Sequence, residues 1–417
     1  MQRKVLKIIV VILAILHGVL AAQEKTLIWI NVSENYGLER ELEYVEFSVQ
    51  LDAVLLENDK ISFFVQELNT AQTIDCQVSF IQADSAHNKI LARIIFPVSC
   101  RAYEKNEYLL KTKKTEDIVY SDLILRGKGT ELIIENKYYR ADLRKNDNVE
   151  PQSYMSGQIR ELLIKMGFNK LVTNVEDRLH WAPNFKRPEL EYYTTIAHWQ
   201  LPKINEITEG PYQITTLRED LAPNHPEILL TAKYRFYSGL PYFRFYSRIE
   251  MKNDVWLELL RNDEMAMDSM FTHMAFERPN GEIVDVEFAE RYDLLKKHPI
   301  ENDSPWLCFY NLDKGFAFGT IRIKYDNTDM YGNESPTYQP HTQIGEWLKG
   351  VKYWNRRLIH DHLTFVPKGS CYQEDNAYLV FKINSNDKLK DIEYWSKQIL
   401  HPLQVSIEYP NNNLKGD

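Results

Sequence analysis

The densest run of chemistry-bearing side chains is WLKGVKYWNRRLIHDHLTFVP, residues 347–367, which gathers Trp354, Asn355, Arg356, Arg357, His360, Asp361 and His362. Arginine grips a carboxylate through two parallel N–H donors. Histidine titrates near neutral pH. Together they suit proton abstraction alpha to a uronate carboxylate, where a cation stabilises the enediolate and a nearby base takes the proton. Trp354 offers a stacking face for a sugar ring. The competing reading is an exposed strand whose arginines pair with carboxylates and whose histidines are ordinary surface groups. Read as a strand from Leu358, the alternation turns His360, His362 and Thr364 toward a groove. Ile359, Leu363 and Phe365, with Asp361, then fall on the core face.

Three further clusters have usable chemistry. Arg261, Asp263, Glu264, Asp268 and His273 lie among Met265, Met267 and Met270, and a desolvated carboxylate there would have a raised pKa and could serve as a general acid. The alternative is a turn capped by Asp268, with His273 in the core. The loop YDNTDMYGNESPTYQPH, residues 325–341, supplies Tyr331, Tyr338 and His341. Tyr331 and Tyr338 are candidate sugar platforms, and Tyr338 also a candidate acid. Its oxygen ligands suit calcium in type, although the spacing is not that of an EF-hand, so no cofactor is expected. His180, Trp181, His198 and Trp199 form two His-Trp pairs, a glycan-lining wall or a buried aromatic cluster. Arg218 and His225 are expected on a loop closing one end of the groove. The expected catalytic set is therefore His360, His362, Arg356, His273, Tyr338 and Glu264. The expected substrate-binding set is Trp354, Arg357, His198, Trp199, Arg218, Arg261, Tyr331 and His341.

The elements that must position these residues read as strands. Residues 26–115 carry six short alternating segments separated by Asn-, Asp- and Glu-rich turns, a small β-barrel or sandwich. After a charged linker the texture becomes aromatic. A hairpin around Asn136-Lys137 opens the second region, and residues 157–165 fit either a strand or a short helix. Long strands follow at 192–200, 212–217, 227–237 and 242–251, the last two joined by the turn Ser238-Gly239-Leu240-Pro241. Further strands are expected through residue 383, then an amphipathic helix over 387–400 with Leu389, Ile392, Trp395 and Ile399 on its apolar stripe. The fold class is mostly β, with an accessory domain at 23–117 and a large sandwich at 118–408 that holds the site.

The chain has 417 residues, 44% hydrophobic content and a formal charge of −9, enough apolar material for large cores and no support for a nucleic-acid partner. Arg3, Lys4 and Lys7 precede an apolar run at 8–20 and small residues at 19–22, which predicts a signal peptide at 1–22 and a periplasmic or secreted protein with no stable membrane insertion after cleavage. The competing reading is an uncleaved anchor, for which the apolar run is short. Cys76, Cys100, Cys308 and Cys371 match no zinc spacing. Cys76 and Cys100 could form a disulfide or stay as two buried thiols. Nucleophile-elbow, Walker, dinucleotide-binding and HExxH motifs are absent from the sequence, which disfavours the corresponding enzyme classes.

The hairpin AKYRFYSGLPYFRFYSRIE, residues 232–250, and the block RNDEMAMDSMFTH, residues 261–273, resemble the central strands of mutarotase-like sandwiches in carbohydrate-active proteins. With the small N-terminal β region they resemble exo-acting rhamnogalacturonan lyases and their bacterial relatives, in which a RIFT-type barrel precedes a galactose-mutarotase-like sandwich. Those lyases continue into an α/α toroid, where this sequence shows one helix, and no catalytic residue is carried over from them. The resemblance implies a polysaccharide substrate. The leading expectation is a lyase cleaving a uronate-containing glycan by β-elimination. A glycoside hydrolase, a mutarotase-like epimerase and a non-catalytic glycan-binding protein are the alternatives.

Overall fold

A computed structural model describes residues 26–55, 61–84, 88–113, 119–146, 156–173, 177–199, 201–297, 299–338, 341–384 and 386–410. The predicted signal segment lies outside them. Among the described residues no helix is long and apolar enough to cross a membrane. The chain divides into two compact units, Ser121–His401 and the remainder.

The first unit is built from two sheets. One has the order Gln404–Glu408, Thr26–Ser33, Lys105–Lys113, Ser62–Glu67, Thr73–Asp75. The other has the order Arg40–Asp52, Lys89–Cys100, Gln77–Asp84. Ile30, Val32, Val65, Ile94, Phe96 and Leu110 are fully buried in its core. Residues 402–408, expected in the sandwich, belong here, and Gln404–Glu408 pairs antiparallel with Thr26–Ser33. Cys76 and Cys100 are free thiols.

The second unit is the large β-sandwich expected. Its nine-stranded sheet runs Ile204–Thr208, Gln213–Ala222, His225–Tyr237, Tyr242–Met251, Cys371–Lys382, Phe316–Asp326, Trp306–Asn311, His273–Glu277, Ile283–Glu287. Two five-stranded sheets share a core with it. One consists of Lys170–Val172, Glu161–Ile164, Tyr139–Asp142, Glu131–Glu135 and Ile124–Lys128. The other consists of Thr194–Thr195, Asn184–Lys186, Val255–Met267, Lys352–Val366 and His341–Glu346. Strand alternation dictates the packing: along Tyr242–Met251 every second residue, from Phe243 to Met251, is buried and the others are half-exposed. Gly239, at φ 68°, supplies the left-handed turn residue between this strand and its neighbour. Behind the nine-stranded sheet the helix Lys390–Leu400 buries Ile392, which comes so near Gly319 that a Cβ there would lie 2.9 Å from its Cδ1.

Two local expectations change. Residues 192–199 are not a long strand. Only Thr194–Thr195 is extended, and Thr195 then caps a 3₁₀ turn, Ile196–His198, by accepting from the Ala197 N–H. Residues 157–165 resolve to the strand Glu161–Ile164.

Candidate functional site

Three adjacent strands of the second five-stranded sheet carry the site: Asn184–Lys186, Val255–Met267 and Lys352–Val366. Leu257, Leu260, Met265, Trp354, Leu358 and Ile359 point into the shared core. The opposite set, Trp256, Glu258, Arg261, Glu264, Asn355, Arg357 and His360, therefore turns away from it. Simple alternation does not produce this arrangement. The two long strands shift register between Leu257 and Leu259, between Leu260 and Arg261, and between Asn262 and Met265. Asp263 and Asp361 have φ of 44° and 52°. Each bulge re-aims the side chains beyond it, bringing Arg261 opposite Arg357 and Leu259 opposite His360.

On this face Arg261 Nη2 lies 3.2 Å from His360 Nδ1, and Arg261 Nη1 lies 3.6 Å from Glu264 Oε1. The second oxygen of Glu264 accepts from Asn184 Nδ2 at 2.6 Å. His360 Nε2 meets Asp361 Oδ2 at 2.9 Å. Arg357 Nε donates to Asn355 Oδ1 at 3.2 Å. Among the described residues no carboxylate is in ion-pair contact with Arg357. Burial first, and then the Arg261 charge, hold its guanidinium below its ordinary pKa. A bound anion would relieve that repulsion. Asn184 Oδ1, Asn355 Nδ2 and Gln343 Oε1 are buried with no hydrogen-bond partner among the described residues. The hydrogen bonds that Asn184 and Asn355 do make fix which amide atom is left over, an acceptor and a donor respectively. A guanidinium pair, one member of which meets no carboxylate among the described residues, can receive a carboxylate-bearing ligand.

Arg261, Glu264, Arg357 and His360, all expected site residues, come together here. Others do not. Arg356 is fully buried inside the sandwich, where its Nε pairs with Glu374 Oε1 at 2.7 Å and its Nη1 donates to the Asn302 carbonyl at 3.0 Å. Arg356 is committed to the core, so of the two arginines only Arg357 serves this face. Trp354 is also a core residue and gives its indole N–H to Asp263 Oδ1 at 3.2 Å, so it offers no platform. Asp263 also accepts from Tyr378 at 3.0 Å and pairs with Arg322 at 3.3 Å. His362 does not share the His360 face. The left-handed Asp361 breaks the alternation, and the His362 ring stacks on Tyr338 with centroids 3.9 Å apart. Leu363 and Phe365, expected in the core, are exposed at 49% and 42%.

His273 sits on the nine-stranded sheet, stacked on Tyr310 with centroids 4.9 Å apart, and is not part of this cluster. His198 closes the 3₁₀ cap, accepting from Thr195 N; burial and the nearby Arg178 charge push its pKa down to about 4. Trp199 is buried and donates to the Leu221 carbonyl at 2.8 Å. Arg218, expected on a loop, is a buried residue of the strand Gln213–Ala222 and donates to Gln158 Oε1 at 2.5 Å. Tyr331 is exposed on its loop. The His341 backbone pairs opposite Arg357 at the sheet edge, and its side chain lies outside what the structure describes. The loop carboxylates hold turns: Asp329 accepts from the N–H groups of Tyr331 and Asn333, and Asp326 from that of Thr328. Among the described residues no three His, Cys, Asp or Glu side chains converge as a metal site. Sequence reasoning missed Asn184, because its strand is three residues long, and gave Asn355 no role of its own.

No family model matches this chain, and no curated protein matches it. Solved structures do. The fold resembles an α-mannosidase from Enterococcus faecalis over 91% of this chain and 46% of that one, at 12% identity and a TM-score of 0.51. A galactose mutarotase related enzyme from Lactobacillus acidophilus matches over 61% of this chain and 98% of its own, at 8% identity and a TM-score of 0.36. An α-galactosidase from Geobacillus stearothermophilus matches over 62% of this chain and 40% of its own, at 9% identity and a TM-score of 0.34. All three are carbohydrate-active enzymes by name. The likeness is one of fold and rests on the mannosidase, about half of whose length this chain spans.

Proposed function

We propose that this protein acts on a uronate-containing polysaccharide and cleaves it by β-elimination at the Arg261–His360 face. The observation that carries the reading is the opposed pair Arg261 and Arg357, with His360 Nδ1 in contact with the first. A substrate carboxylate held by the two guanidinium groups loses much of its charge, which acidifies the C–H alpha to it. His360 takes that proton. The C–H electron pair becomes the new carbon–carbon double bond, the bond to the glycosidic oxygen beta to the carboxylate breaks, and the departing oxygen takes a proton from water. Most glycoside hydrolases use two carboxylates flanking the bond. Here Glu264 is engaged by Asn184 and Arg261, and Asp361 by His360. The sequence resemblance to rhamnogalacturonan lyases supports the reaction class, and no residue role is taken from it. Work on a polymer too large to enter a cell fits the export that the N-terminal sequence predicts, to the periplasm or the medium.

The test is incubation of the purified protein with pectic and other uronate polysaccharides while absorbance is followed in the unsaturated-uronate band. A rise is expected. Reducing ends without that rise would replace the lyase by a hydrolase, and binding with neither signal would leave a glycan-binding protein.

A further inference from the structure

Beyond the polar cluster, the same face carries an aromatic pair that the chemistry above does not use. Trp256 lies directly opposite Phe365 on the neighbouring strand, with ring centroids 5.2 Å apart and planes inclined at 54°. Inclined rings do not cover one another: Trp256 is 51% exposed, Phe365 42%, and Leu363 beside them 49%. Val255, Leu257 and Val366, their immediate neighbours in sequence, are buried on the core side, so the pair belongs to the face of Arg261 and His360. Between the two groups sits the ion pair of Lys186 with Glu258, at 3.1 Å. Trp256 and Arg261 are five strand positions apart, a separation of about 15 Å. A single sugar cannot touch both. A chain of several sugars laid along the strands can.

We infer that Trp256 and Phe365 form an outlying subsite for a sugar residue remote from the one acted on, so that the ligand of this face is an oligosaccharide or longer polymer. The inference rests on the carbohydrate reading above. A pyranose ring has a flat C–H face and a hydroxyl rim. The first packs on an exposed indole, and the second suits the Lys186–Glu258 pair at its border. The continuous face from the aromatic pair to the guanidinium pair supplies both needs in sequence, which is what favours a glycan over an apolar partner.

The experiment compares wild type, Trp256→Ala, Phe365→Ala and Arg357→Gln for binding to a size ladder of uronate oligosaccharides by calorimetry, with sedimentation of each protein alone. The expected result is that the two aromatic variants bind the longest oligosaccharides about tenfold more weakly than wild type, bind the shortest ones equally well, and remain folded. Arg357→Gln should weaken every length. If Arg357→Gln loses binding while Trp256→Ala keeps it at all lengths, the subsite is overturned and the carbohydrate reading stands. If wild type binds no length, both fall together. A self-associated wild type that Trp256→Ala dissociates would also overturn the subsite, making the pair an interface between copies of the chain.

Discussion

Arg261 Nη2 lies 3.2 Å from His360 Nδ1, and that contact fixes the state of the imidazole. A guanidinium can only donate, so Nδ1 must accept and carries the lone pair. The ring proton then sits on Nε2, 2.9 Å from the Asp361 carboxylate, which can only accept. The lone pair of a base is thus held beside the cation that would receive a substrate carboxylate. A carboxylate that engages Arg261 competes for the same N–H as the substrate docks.

From this follows the expected behaviour of His360→Asn. Loss of a positioned general base lowers turnover by about 10²–10⁴-fold. The side chain is only 18% exposed, but it packs on the surface of the sheet rather than in its core, so the unfolding midpoint should move little. Steady-state rates on the responding polysaccharide and a thermal melt check both halves. Wild-type turnover in the variant would remove His360 from the mechanism.

Asp361 separates strain from function. Its φ of 52° is a conformation that L-residues adopt at some cost, about 1–2 kcal/mol. Its side chain is 85% exposed, and among the described residues its one ion-pair contact is His360. Asp361→Gly should therefore keep or raise stability against urea while turnover falls, because the imidazole loses its orienting acceptor. Asp361→Ala should lose both. Stability falling in the glycine variant as far as in the alanine variant would count against the strain argument.

Much of the sandwich was legible in the sequence because antiparallel strands with one buried face alternate. The 232–250 hairpin shows it, with the packed set from Phe243 to Met251 all buried. The site was less legible for the same reason. Parity counted from Leu358 places His362 with His360 and Phe365 in the core, but the register shifts and the left-handed Asp361 break the count. Residue type also misled at Trp354 and Arg356. Both look like ligand-binding side chains, yet each is buried with an internal partner, Asp263 or Glu374. A buried carboxylate that answers a buried cation from a distant strand leaves no local signal in the chain.

Arg357 should act on binding more than on folding. It has no carboxylate partner among the described residues, and it repels Arg261 across the strand pair. Arg357→Met removes that repulsion, so stability should hold or rise slightly. Affinity for uronate substrates should fall roughly 10- to 100-fold, the effect of losing one charge-assisted contact to a carboxylate. The loss should appear in KM, shrink at high salt and be absent for a neutral glycan. Equal losses on neutral and uronate ligands would show that Arg357 shapes the surface rather than binding the carboxylate.

The internal pair Arg356–Glu374 makes a separate prediction about stability and pH. Burial, then opposed by the Arg356 charge and reinforced by Asp263, raises the Glu374 pKa from 4.5 to about 7. A carboxyl whose folded-state pKa lies above its unfolded value stabilises the fold fully below the unfolded value. That contribution declines as pH rises and is lost on passing through the folded value. Urea midpoints for the second unit should therefore carry a falling component between about pH 4.5 and 7, absent in Glu374→Gln. Arg356→Leu leaves the carboxylate without its cation, a defect of about 3–5 kcal/mol when the partner is charged. The loss should be larger at pH 8 than at pH 5, where Glu374 can become neutral. An Arg356→Leu defect independent of pH would mean that the guanidinium stabilises the core through packing and the Asn302 carbonyl, not through Glu374.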